Sequence, residues 1–220
     1  LGWNFTNKVE CDGAVIYSDA APIFSMKLVR LINNFTAAYR KAFAEPLGIK
    51  RKPVQVTIFV TRYESLLLEF HKHFAPQGAP PLSSPCMFYS DRKLMLLLVL
   101  GGGDFSFDTF VREYSMVLDE LLLGVPRCDL PGWLTNGRAD YLAFSRQGLQ
   151  FFPGLAAPPP WRTAVHELKK NLGTVPLRQV LAASSQEFTG PSFPANHGIA
   201  WGFVQYLMHG DAGRNLPGFR

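Results

Sequence analysis

Cysteine is scarce in this chain. The 220 residues hold only Cys11, Cys86 and Cys128, an odd count with no two close together. That spacing excludes a zinc knuckle and argues against a disulfide framework, leaving room for one disulfide beside a free thiol. Long apolar runs are also missing. The longest, Leu94 to Leu100, falls far short of the roughly 20 residues a membrane-spanning helix needs. Charged residues make up only 18%, and the net charge is +5. Lys50, Arg51 and Lys52 form the one tight basic cluster. It reads as a solvated turn before a strand, and no aromatic-basic motif accompanies it, so nucleic acid is not an expected partner. The "GGGDF" stretch at 101–105 is followed by no Lys-Ser/Thr, so it reads as a loop and not a phosphate cradle. No internal repeat and no low-complexity tract is present.

What is present is a globular composition, 47% hydrophobic, long enough to bury a real core. "GAVIYS" at 13–18 reads as a short strand. Phe24, Leu28, Leu31, Ile32, Phe35, Tyr39 and Phe43 recur at three-and-four spacing, which predicts a long amphipathic helix over 23–44. "KPVQVTIFVT" is rich in β-branched residues and predicts a buried strand; "YESLLLEFHKHF" predicts a short helix. After a Pro-rich loop from Pro76 to Pro85, "CMFYS", the turn "DRK" and "LMLLLVL" predict a hairpin or two adjacent strands. Phe110 to Leu122 carries helical spacing closed near Gly124 and Pro126; a further helix is predicted from Trp133 to about Gln147. "FFPGLAAPPP" reads as a loop, with helices at 161–171, 176–184 and 197–209. Strands crowd the first half and helices the second, so the fold class is α+β: an N-terminal mixed sheet with helices, then a helical half. One domain over 1–220 is expected, with the sheet-containing part at 1–104 and the helical part at 105–220.

Two segments carry a resemblance. "FVREYSMVLDELLLG" (110–124) is similar to the pattern Val-His-Glu-Tyr-Thr-His followed by an apolar helix. "LPGWLTNGRADYLA" (130–143) is similar to Pro-x-Trp-Leu-x-Glu-Gly-x-Ala-Glu-Tyr, with Trp133, Leu134, Gly137, Ala139, Asp140 and Tyr141 in place. "HGIAWGFVQYLM" (197–208) is a weaker match to a last-helix pattern in which His197 stands for a tyrosine. These motifs resemble the gluzincins, the thermolysin-like clan of zinc peptidases, and within it the peptidase-MA-like branch of small bacterial proteins. The resemblance implies a zincin-like fold. In that family two histidines four apart on one helix and a glutamate on the next hold zinc, and a glutamate beside the first histidine activates the metal-bound water.

The departures fall on the chemistry. Arg112, Met116 and Asn136 stand at the three metal-ligand positions, and only Glu113, the general base, is kept. Arginine is a permanent cation and cannot ligate. A thioether suits Cu(I) better than zinc, and Asn136 offers one neutral oxygen. No zinc site follows from these residues. The other histidines do not supply one: His71 and His73 are two apart, and His166-Glu167 is followed by lysine at position 170. A guanidinium in the former metal space needs an anion. Arg112 is therefore expected to bond Asn136 and either Asp140 or Glu113, tying two helices together. Trp133 and Trp201 are expected as core aromatics and Met116 as packing, with Asp140, Tyr141, His197 and Trp133 around the cleft.

The function this implies is a catalytically inactive peptidase-like domain, with no cofactor, that binds a peptide or protein in the former substrate cleft. An exposed edge of the hairpin strand near 87–99 would receive an extended chain. The alternative is a metal-independent hydrolase using Glu113 and His197 as acid and base. Ser115 lies in no nucleophile-elbow context. A third possibility is a structural domain whose cleft is filled by Phe105, Phe107 or Met116. The resemblance gives a mild preference for an exported bacterial protein and says nothing of oligomeric state. No terminal signal marks either end, and the Asn-x-Thr triplets at Asn4 and Asn34 matter only in a eukaryotic secretory setting.

Overall fold

The computed structural model describes residues 4–46, 48–50, 54–75, 85–99, 107–124, 130–144, 146–147, 150–151, 159–172, 177–188 and 193–210. Most of the Pro-rich loop, Phe105, Cys128, Arg51 and Lys52 lie outside these residues, as does the Phe107 side chain. The chain is α+β. Strands β1 (Asn7–Cys11), β2 (Ala14–Ser18), β3 (Val56–Thr61), β4 (Cys86–Tyr89) and β5 (Leu94–Leu98) form a five-stranded sheet in the order β1-β2-β3-β5-β4. Its inner pairs, β2 with β3 and β3 with β5, are parallel; the outer strands β1 and β4 are antiparallel to their neighbours. The expected hairpin at 86–98 is present, but β5 is interior and β4 alone of the two is an edge.

The parallel pairs need crossovers, and helices supply them. Helix α1 (Pro22–Tyr39) starts with proline in its first turn, where no backbone donor is wasted. It buries Phe24, Leu28, Leu31, Ile32, Phe35 and Tyr39 on one face. A π turn at Arg40–Ala44 extends it. Helix α2 (Glu64–Phe74) covers the other sheet face through Leu67 and Phe70. Strand β5 is therefore buried on both sides, and its residues alternate between two cores. Met95 and Leu97 face α1, while Leu94, Leu96 and Leu98 face α2. An unbroken LMLLL run is what two-sided burial requires.

Helix α3 (Phe107–Leu118) lies on the α1 side, its Tyr114 ring 6.0 Å from Phe35. It ends in a π turn, Asp119–Leu123, capped by Gly124 at φ 71, the left-handed conformation that glycine adopts without steric cost. Then follow α4 (Gly132–Ala143), a two-stranded hairpin of β6 (Arg146–Gln147) and β7 (Gln150–Phe151), α5 (Pro159–Leu172), α6 (Leu177–Ala182), a 3-10 turn at Ser185–Phe188, and α7 (Phe193–His209). Helix α4 stops short of the expected Gln147 because the next residues pair as β6 and β7, with Phe151 anchored 5.1 Å from Phe35.

Helices α4 and α7 meet backbone to backbone at Gly137 and Ala200. A Cβ built on Gly137 would sit 2.7 Å from the Ala200 carbonyl oxygen. Among the described residues no helix is long and apolar enough to cross a membrane.

Candidate functional site

Positions 112 and 116 are one turn apart on α3, and positions 136 and 140 are one turn apart on α4, so each pair shares a helix face. These faces lie in the helical layer, where α7 completes a three-helix junction. Asp140 is its centre and is fully buried. Its Oδ1 lies 2.7 Å from Arg112 Nε, a close ion pair set off-axis for a hydrogen bond. Its Oδ2 is in short contact with His197 Nδ1 on α7. The Arg112 terminal nitrogen also approaches His197 Nδ1 at 3.3 Å. His197 Nε2–H donates to the Phe188 carbonyl at 3.2 Å. Both ring nitrogens thus face protein atoms, and the ring lies between Trp161 and Phe188 at 5.4 and 5.3 Å.

Burial pushes the Asp140 carboxyl above its ordinary value. The His197 hydrogen bond and the Arg112 and His197 charges oppose that rise without cancelling it. The physical reason is desolvation: a carboxylate with no water needs its counter-charges close. Arg112 is a quarter exposed along its side chain, so the junction is dry on the Asp140 side and wetter on the Arg112 side.

The remaining expected residues divide. Asn136 does not join Arg112; its amide turns back and donates to Gly132 O at 2.8 Å on its own helix. The histidine of α7 is a further neighbour of Arg112. Glu113 lies near enough to β4 for its charge to add to burial in raising the Cys86 thiol. Met116 is buried. Trp133 packs on Phe203 at 5.1 Å and joins α4 to α7, as a core aromatic. Tyr141, expected at the cleft, belongs to the main core instead, its hydroxyl 2.9 Å from His209 Nε2 and its ring 6.3 Å from Phe43. One residue along a helix turns a side chain by about 100°, which separates Tyr141 from Asp140. His71 is buried against the Tyr89 hydroxyl at 2.6 Å, while His73 is exposed.

A second buried charge cluster lies between the same helices and escaped the sequence reading. Asp119 pairs with Arg138 and accepts a hydrogen bond from the Tyr39 hydroxyl. The Arg138 guanidinium lies 5.2 Å from the Phe43 ring centroid. The available signal was Asp119 itself, an acid set among the apolar residues of "SMVLDELLL". Helices α3 and α4 are thus tied twice with reversed polarity: Arg112 reaches Asp140, and Asp119 reaches Arg138.

Among the described residues no group of three His, Cys, Asp or Glu side chains converges in a metal-binding arrangement. The groups that do converge are one carboxylate, one imidazole and one guanidinium, which together form a brace joining three helices. No protein-family model and no curated protein matches this chain.

Proposed function

We propose that this chain is a zinc-peptidase-like domain of gluzincin type in which an internal ion pair takes the place of the metal, and that it binds an extended peptide without cutting it. The observation that carries the reading is the contact of Arg112 Nε with Asp140 Oδ1 at 2.7 Å, between the two helices whose motifs resemble the zinc-binding pair. A fixed cation there repels a divalent ion, and the side chains at 116 and 136 offer no compensating anionic ligand. Without a metal no water is activated, so Glu113 has nothing to deprotonate.

The edge strand supports the binding half of the reading. Strand β4 is antiparallel and outermost among the described residues, and α3 lies on the neighbouring sheet face. Leu98 N–H donates to Pro85 O, so by antiparallel alternation Met87 and Tyr89 turn their backbone groups toward β5 and Phe88 turns its own outward. An added strand would pair there. The alternative, acid-base hydrolysis by Glu113 and His197, has less support: the His197 ring is 1% exposed and its two nitrogens are engaged.

The test restores the ligands together, as Arg112→His, Met116→His and Asn136→Glu. The variant is expected to gain tight binding of a single zinc by metal analysis, with the cobalt-substituted form giving a tetrahedral absorption spectrum, while the original chain binds none. Stoichiometric zinc between α3 and α4 of the original chain, or casein hydrolysis abolished by chelation, would overturn the proposal.

A further inference from the structure

The side of α1 and its π-turn extension turned away from the sheet exposes Ile23, Met26, Arg30, Ala37 and Lys41. Between this face and β7 opens a groove of about 440 Å³. Arg30 and Lys41 stand toward its ends, Ala37 and Ala38 lie between them, and Gln150 and Phe151 form the facing wall. Among the described residues no carboxylate lines it, and neither Arg30 nor Lys41 makes an ion pair there. The wall is fixed, because Phe151 packs on Phe35 in the core. The small side chains leave room for a backbone, and the Gln150 amide can pair with one.

Eleven residues separate the two cations in the sequence, three helical turns, so they point the same way about 16 Å apart. An extended chain covers that span in about five residues. Beyond Arg30 the stripe becomes apolar, with Ile23 and Met26 61% and 64% exposed. We propose that this groove binds an extended acidic segment of a partner protein, with two carboxylates about five residues apart and an apolar residue beyond the one that meets Arg30. A second copy of this chain fits poorly, since each carries a net charge of +5. A nucleic-acid strand would bring several phosphates past two cations, with one ring, already held by the core, on which to stack.

The probe is a labelled extended peptide with two glutamates at that spacing and a leucine beyond one of them, compared with the same peptide carrying glutamines. The full chain is expected to bind the acidic probe at least tenfold more tightly than its neutral counterpart. The double variant Arg30→Glu/Lys41→Glu is expected to remove that preference, and both side chains are exposed, so the fold is preserved. The control Arg162→Glu/Lys169→Glu makes the same charge change on exposed positions of α5 and should leave binding within twofold. Equal weakening by both doubles would reduce the effect to net charge and overturn the proposal. So would absence of any acidic preference, or tighter binding of a single-stranded oligonucleotide lost in the same Arg30/Lys41 variant.

Discussion

Replacing Arg112 with methionine isolates the brace. The substitution keeps a long, flexible stem and removes the cation 2.7 Å from the buried Asp140 carboxylate. At an effective dielectric of about 20, two unit charges at that distance attract by about 6 kcal/mol. The whole of this cannot appear as lost stability, because an abandoned carboxyl can take up a proton. Holding an aspartate neutral at pH 7 costs about 1.4 kcal/mol for each unit between the pH and its unfolded value near 3.9, about 4 kcal/mol in all. Asp140 in the original chain is already raised by burial, so part of that penalty is present before the mutation. The expected loss is therefore about 3 kcal/mol at pH 7, within the range for breaking one half of a buried pair. The sign with pH follows. A carboxyl raised in the folded state stabilises least above its folded value and recovers as the pH falls toward the unfolded one. At pH 5 the same ceiling drops to about 1.5 kcal/mol, and the deficit should shrink accordingly. Urea denaturation at both pH values, with an unchanged dependence on denaturant, measures it. Adding Asp140→Asn to Arg112→Met should recover most of the loss at pH 7. A loss below about 0.5 kcal/mol at pH 7, or an equal loss at both pH values, would refute the buried ion pair.

Further outcomes follow from packing and from a surface carboxylate. Gly137→Ala should cost about 1–3 kcal/mol in thermal or urea unfolding, because its Cβ would meet the Ala200 backbone at 2.7 Å. Gly202→Ala on α7, where nothing lies within 4 Å, should instead gain about 0.5–1 kcal/mol from helix propensity. Burial pushes Glu120 up, but the hydrogen bonds from Lys93 and Ser90 together hold it below its ordinary value. Its contribution is present above the unfolded value and lost as the pH falls through the folded one. Glu120→Gln should then cost about 0.5–1 kcal/mol at pH 7, reduced by the solvent around Lys93, and progressively less as the pH falls below the ordinary glutamate value, by the same urea titration.

Much of the fold was legible because its elements bury continuous stripes. Helix α1 announces itself through Phe24, Leu28, Leu31 and Phe35, and β5 through an unbroken apolar run between turn residues. Strand β1 went unread because NKVEC alternates weakly, with half-exposed side chains on one face only. The Asp12-Gly13 turn that folds it onto β2, with Gly13 at φ 78, was the signal to use. The β6–β7 hairpin went unread because its anchor, Phe151 on Phe35, is a contact between distant parts of the chain. The motifs of α3 and α4 set Arg112 beside Asn136 and either Asp140 or Glu113, and the ion pair falls on Asp140. The third member was not readable as a partner: His197 lies 57 residues beyond Asp140, and nothing local marks its ring for that carboxylate. Asn136 misled because a helical asparagine can satisfy itself on the carbonyl one turn back.

The crossed polarity of the two ties between α3 and α4 has a bearing on descent. If α3 slid along its neighbour in one direction, Arg112 would come up against Arg138; in the other, Asp119 would come up against Asp140. Each misalignment sets like charges together in a place water does not reach. The helices therefore have a single admissible seating, enforced by repulsion as well as by fit. Any lineage that rewrites one of these four residues must pass through a less stable intermediate or change its counterpart in the same step.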